Sequence, residues 1–273
     1  MMKLSLTATP SVSRFAPILL RGEVTDAFAL AAELGYDGVE LHLRQPSDID
    51  PTAINNLTTH YGLGIPTLGT GMAAGEDGLT FADPDSEIRR QAVERVKEHI
   101  ALAAYLDSAV TIGLLSGRLG NDAQQRPIRR EAAMACLEEC CQVAAEAGVT
   151  ILLEPLNRYE CDYLNTAEEA LSVINRIGQA NLKLLADTFH MNIEEVDVVA
   201  SLRQIGPNLG HVHLVDSNRR APGHGHLDVR GVLKALRDTS YQGYLSFEVL
   251  PLPNSRQATE DAIRTVRGVL SGL

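Results

Sequence analysis

The feature that most constrains this chain is an alternation repeated along its whole length. Short apolar or β-branched runs occur at residues 3–8, 38–43, 64–69, 109–114, 149–153, 182–186, 212–215 and 244–249, with helical patterns between them. The clearest helix is predicted over Ser86–Leu106, where Ile88, Ala92, Val96 and Ile100 recur on one stripe and charged residues take the other faces. Another is predicted over 131–147, ending at Gly148, a residue suited to a left-handed cap. Pro51, Asp85, Thr166 and Asp228 stand where helix starts need a preset φ or an oxygen that accepts from free N–H groups. Eight strand signals, each followed by a helix signal, predict an α/β chain folded as a (β/α)8 TIM barrel, one domain over 1–273. Strands covered on both faces are expected to read as apolar runs. A doubly wound open sheet is the rival, but its first turn usually carries G-x-G-x-x-G. Here that turn reads TPSVSRFAP.

Charge and cysteine content narrow the function classes. The formal net charge is −11, which repels phosphate backbones and anionic lipid, so neither nucleic acid nor membrane is expected as a partner. The segment MMKLSLTATPSVSR lacks the apolar stretch of a signal peptide. No run approaches the ~20 apolar residues of a membrane span. The 4 cysteines imply no disulfide framework, and a soluble, cytoplasmic protein is expected. Cys136, Cys140 and Cys141 fall within one predicted helix and read as small apolar packing.

In a barrel of this kind the working groups gather at the C-terminal ends of the strands. From the fifth strand onward those ends offer Glu154 in ILLEPLNRYE, Asp187 in LLADTFHMN, His213 in HVHLVDSNR and Glu248 in LSFEVLP. They are roughly 30 residues apart, about one βα unit in a barrel of about 250 residues. Each alone reads as a helix cap or an arginine partner. Together they place three carboxylates and an imidazole on one rim, an arrangement that is costly without a positive charge among them. Such a donor set suits one divalent cation per chain, Mn2+ before Mg2+ or Co2+, over a thiolate-seeking structural zinc.

EPLNRYE, ADTFHMNIEE, HVHLVDSNR with APGHGHLD, and SFEVLP together resemble the xylose-isomerase-like sugar isomerases and epimerases. The branch they look most like is that of the D-tagatose 3-epimerases and 5-keto-L-gluconate (ketouronate) epimerases. The resemblance extends through GIPTLGTG and VTIGLLSGR and so covers essentially the whole chain. It implies that Glu154, Asp187, His213 and Glu248 are metal ligands and that Glu154 and Glu248 also transfer protons. It further implies that Glu160, His190 and Arg219 hold substrate oxygens, and that the chain assembles as a homodimer or homotetramer. The implied reaction inverts the carbon beside a ketone: one glutamate removes the proton, the other returns one to the opposite face, and the cation stabilises the enediolate between.

Blander readings stand beside these. Glu160 could pair with Arg158 or another local arginine, and His190 could cap a helix beginning near Asn192. Arg219 could be a solvated loop cation beside Arg220. Glu194–Glu195 reads as a solvated helix face. His224 and His226 do not lie at a strand end, and Asp228 reads as a helix cap. Arg118, leaving the fourth strand in GLLSGR, is expected near the same rim, where it could grip the carboxylate of a sugar acid or instead pair with Asp122.

Four other functions share parts of this pattern. An aldose–ketose isomerase such as hydroxypyruvate isomerase would use the same cation and glutamates. An inosose dehydratase-like lyase would expel water from the same intermediate. An apurinic endonuclease-like enzyme would need a richer histidine cluster than His42, His60 and His99 provide. A non-catalytic sugar-binding barrel would be expected to lack one of the two glutamates.

Overall fold

The computed structural model describes residues 2–11 and 17–273. Its strands are β1 (Lys3–Thr9), β2 (Leu20–Arg21), β3 (Gly38–His42), β4 (Thr67–Gly69), β5 (Ala109–Ile112), β6 (Ile151–Leu153), β7 (Leu182–Asp187), β8 (Leu209–His213) and β9 (Tyr244–Phe247). All pair in parallel, and β1 pairs with both β3 and β9, so eight strands close on themselves. The seam is in register: Leu6 lies opposite Val39 on one side and Phe247 on the other. The two-residue β2, absent from the sequence expectation, adds beside the C-terminal end of β1.

The α-helices of the described residues are α1 (Val24–Leu34), α2 (Pro51–Tyr61), α3 (Gly71–Asp77), α4 (Ser86–Leu106), α5 (Gln125–Glu146), α6 (Ala167–Ile177), α7 (Thr188–Glu194), α8 (Val198–Ile205), α9 (Val229–Asp238) and α10 (Ser255–Ser271). Asp85, Thr166 and Asp228 cap their helices through side-chain oxygens, accepting from the backbone N–H groups of Glu87, Glu169 and Gly231. Each such cap is worth about 1 kcal/mol. Pro51 opens α2 at the position where its missing N–H costs nothing. Among the described residues no helix is long and apolar enough to cross a membrane.

The strands are buried on both faces, but they are less apolar than expected. Leu4, Leu6, Val39, Leu41, Leu245 and Phe247 belong to the hydrophobic core. The intervening residues Ser5, Thr7, Glu40, His42, Thr67, Thr111, His211 and Ser246 are buried polar groups. Their hydrogen bonds locate them. Glu40 on β3 reaches His211 and His213 on β8, strands that are not neighbours in the sheet. These side chains therefore meet across the barrel interior, which is a polar channel floor beneath the C-terminal rim. Buried polar groups are nearly always hydrogen-bonded.

Candidate active site

Each of the four rim residues occupies the end of its strand. Asp187 and His213 are the last residues of β7 and β8, while Glu154 and Glu248 immediately follow β6 and β9. Asp187 has two duties. Its Oδ1 caps α7 by accepting from Phe189 N at 2.7 Å, which leaves Oδ2 free to face the barrel axis. His213 Nδ1 lies 3.4 Å from Glu154 Oε1, 3.7 Å from Asp187 Oδ2 and 4.0 Å from Glu248 Oε2. The four donor atoms fall within 4.8 Å of one another. Glu154 Oε1, Asp187 Oδ2 and His213 Nδ1 are all buried without a hydrogen-bond partner. Orphaned polar atoms of this kind are rare in a folded protein, and here three converge on one point.

The surrounding electrostatics favour positive charge at that point. Burial alone would make His213 a weaker base, yet Glu40, Asp187 and Glu154 hold it well above the ordinary imidazole range. Burial would likewise raise Asp187, but His190, His213 and Arg219 bring it below its usual value. Burial raises Glu248 above the ordinary carboxylate range; Glu154 adds to this, while His213, Arg219 and His42 oppose it. Carboxylates and one imidazole around such a point fit a divalent cation bound through oxygen and nitrogen.

Glu40 was not singled out from the sequence, although it occupies the centre of the channel floor. It is fully buried and accepts at 2.9 Å from Nε2 of His42, His211 and His213. Burial by itself would push its carboxyl up, but the charge of His213 and the three ring hydrogen bonds hold it well below the ordinary range. His211 Nε2 also contacts Ser246 Oγ at 2.9 Å, and Ser246 in turn meets Ser5. A Glu and a His at alternate positions of GVELHL, in an otherwise apolar run, were the available signal.

Above the floor lies a cavity of about 470 Å³, lined by Glu154, Glu160, His190, His213, Arg219 and Glu248 among others. That volume is in the range of small-molecule sites. Asn157 organises one wall. Its backbone N–H and its Nδ2 both reach His190 Nδ1, at 3.2 and 2.7 Å, which leaves the ring proton on Nε2. The same Nδ2 donates to Glu160 Oε1 at 3.0 Å. Arg219 donates to Glu160 Oε1 at 2.7 Å and to Glu248 Oε2 at 3.2 Å, and stacks 4.7 Å from the Phe189 ring centroid.

Several of the blander readings are corrected here. Glu160 pairs with Arg219; Arg158 is taken by Glu194 at 2.7 Å, and that glutamate is nearly buried rather than a solvated face. His190 sits within the first turn of α7, because that helix, capped by Asp187, starts at Thr188, four residues before Asn192. Arg118 does not pair with Asp122. It donates to the backbone carbonyls of Glu160 and Tyr159, 3.0 Å each, and lines an adjoining cavity rather than the one above His213. His224 pairs with Asp261 at 3.1 Å, away from the four rim residues. Cys140 and Cys141 are packed in the core, and burial pushes the Cys141 thiol up to about 12.

The sequence model of the family described as "Xylose isomerase-like TIM barrel" matches residues 28–268. The chain belongs to that family. An L-ribulose 3-epimerase of Mesorhizobium japonicum is 33% identical over 230 residues, covering 84% of this chain and 76% of that protein. A 3-dehydro-D-guloside 4-epimerase of Escherichia coli is 29% identical over 260 residues, covering 92% of this chain and 94% of that protein. A solved structure of an L-ribulose 3-epimerase superposes with a TM-score of 0.85 at 26% identity, covering all of this chain and 95% of that one.

Proposed function

We propose that this protein is a divalent-cation-dependent epimerase of a ketose or keto-sugar acid, inverting a carbon beside the ketone. The observation that carries the reading is the convergence of Glu154 Oε1, Asp187 Oδ2 and His213 Nδ1, buried and unpartnered, at the floor of a cavity whose lining includes Glu154 and Glu248. The family relatives named above are epimerases of a ketose and of a keto-glycoside, which supports the same reaction class.

A cation held by Glu154, Asp187, His213 and Glu248, with Mn2+ the first choice, would supply a Lewis acid for negative charge developing beside the ketone. Asp187 and His213 need do no proton chemistry. Glu154 and Glu248 follow β6 and β9, which have β7 and β8 between them around the ring, so their carboxylates enter the cavity from different sides. One oxygen of each can take or return the carbon-bound proton. Burial strengthens Glu248 as a base, which suits removal of a weakly acidic C–H proton. His190 Nε2–H and the Arg219 guanidinium present donors to substrate oxygens, and Glu160 keeps Arg219 in position.

The deciding experiment incubates Mn2+-loaded protein with ketopentoses, ketohexoses, ketouronates and keto-glycosides in heavy water, with products identified by NMR. The expected product is an epimer carrying deuterium at the inverted carbon. An aldose product would reassign the protein as an aldose–ketose isomerase, and loss of one water would make it a dehydratase.

A further inference from the structure

Beside the cavity that contains Glu154 and Glu248 lies a second one of about 360 Å³, whose lining includes Ala74, Thr80, Arg118 and Arg129. The two cavities share Gly75, Leu114 and Glu160 as a common wall. That wall is low. A side chain at Gly75 would meet nothing within 4 Å, and Leu114 is itself partly exposed. Oε1 of Glu160 is committed to Arg219 and Asn157.

Two arginines, Arg118 and Arg129, line this cavity. Among the described residues, no carboxylate pairs with Arg118 or Arg129 within 4.0 Å, whereas Arg44, Arg95, Arg126, Arg158 and Arg219 are all paired. Arg118 is held still by its two bonds to the carbonyls of Tyr159 and Glu160, with Nη1 left over. Arg129 has a buried Nε with no partner. A guanidinium offers five donors in a rigid fork and accepts nothing. Asp83 and Glu160 also line the cavity but form no ion pair with either guanidinium, so Arg118, held in place, and Arg129 beside it keep donors for an outside acceptor.

We infer that this second cavity is a subsite for an acceptor-rich substituent carried by the keto-sugar, so that the preferred substrate extends beyond a single unsubstituted ring. The acceptors could be the hydroxyls of a glycosidically linked second sugar or a carboxylate; both present oxygens to Arg118 and Arg129. The inference rests on the epimerase reading and names the substrate class of that same site.

The test compares kcat/KM of the Mn2+-loaded protein on keto-sugars sharing one reacting ring: unsubstituted, oxidised to the uronate, and bearing a second sugar. The unmodified protein is expected to favour at least one extended substrate tenfold or more over the unsubstituted ring. Arg118→Met, Arg129→Met and Ala74→Phe should each reduce that ratio by tenfold or more, the first two by removing donors and the third by filling space. Arg129→Met alters a partly exposed side chain, so a fall in the ratio with an unchanged melting temperature reads the subsite rather than the fold. Which extended substrate loses most identifies the natural acceptor group. Epimerisation of the unsubstituted ring with no preference, or ratios that no variant moves, overturns the subsite and leaves the epimerase reading standing. No turnover of any keto-sugar overturns both.

Discussion

Nε2 of His213 lies 2.9 Å from Oε1 of Glu40, and this contact decides which face of the imidazole is available at the rim. An ionised carboxylate only accepts, so the ring donates from Nε2, and the neutral form that a cation would bind carries its lone pair on Nδ1. That lone pair faces Glu154, Asp187 and Glu248. A carboxylate behind a metal-binding histidine fixes its tautomer and raises its basicity. Glu40 also ties His42 and His211 to the same floor, so a single side chain orients three rings.

Glu40→Gln is therefore expected to weaken Mn2+ binding by roughly 10–100-fold, the range seen when such supporting groups are lost. The amide has one carbonyl oxygen to serve three rings, and its NH2 faces donors. Calorimetric titration of Mn2+ measures the loss directly. Affinity equal to that of the unmodified protein would remove Glu40 from this role, whatever the variant does to activity.

Removing the cation should cost both activity and stability. Treatment with a chelator is expected to abolish turnover and lower the melting temperature, because converging carboxylates are left without compensating charge. Added Mn2+ or Co2+ should restore both. Asp187→Asn and His213→Ala should lose cation affinity and turnover together, since each deletes a donor without touching Glu154 or Glu248. Full activity in demonstrably metal-free protein would end the metal reading.

The barrel was legible because its signal is periodic: each apolar run had to be followed by a helix long enough to return the chain. Ser86–Leu106 was bounded correctly because its stripe and its Asp85 cap agree. The helix predicted over 131–147 actually begins at Gln125, and its early turns are mostly exposed, so no apolar stripe announces them. The four rim residues were readable because strand ends share one phase. Glu40 was not, since its partners His211 and His213 are 171 and 173 residues away and only closure of the barrel brings them together. Arg118 fell in the neighbouring cavity for a related reason. Spacing places a residue on the rim, but the carbonyls of Tyr159 and Glu160 decide which way its side chain lies.

Two glutamates entering from different sides predict separable half-reactions. Glu154→Gln and Glu248→Gln keep shape and one donor oxygen but cannot accept a proton. Each is expected to lower epimer formation by at least about 100-fold, the lower end of what general acid–base catalysis supplies. One of the two is expected still to exchange the substrate C–H with heavy water from a single face, detectable by NMR as deuterium in recovered substrate. Unreduced epimer formation in either variant is incompatible with two-base inversion.

Asp216 should govern the loop that presents Arg219. Its carboxylate is fully buried and accepts from the backbone N–H groups of Ser217 at 2.7 Å, Gly223 at 2.7 Å and Leu227 at 3.1 Å. Burial would raise its pKa, but the backbone donors outweigh it and leave the group below its ordinary value. A carboxylate depressed on folding stabilises the fold at pH values above its unfolded pKa of about 4. The contribution is lost as pH falls through the lower folded value, so the loop should hold at neutral pH and loosen only in acid below about pH 4. Within this loop Arg219 adopts φ +59, a left-handed conformation that a side-chain-bearing residue keeps only when its surroundings enforce it. Its backbone is pinned on both sides, donating to Asp216 O at 2.8 Å and accepting from Leu250 N at 2.8 Å. Asp216→Asn replaces one acceptor oxygen by an NH2 group aimed at backbone donors, and should destabilise the protein by about 1–3 kcal/mol. Through Arg219 it should also raise KM more than it lowers kcat, because cation and glutamates are left in place. Thermal melting between pH 3 and 7 checks the first effect: unmodified protein and variant should converge at the acid end as Asp216 itself becomes protonated. A constant gap across that range would show that the carboxylate charge is not what orders the loop.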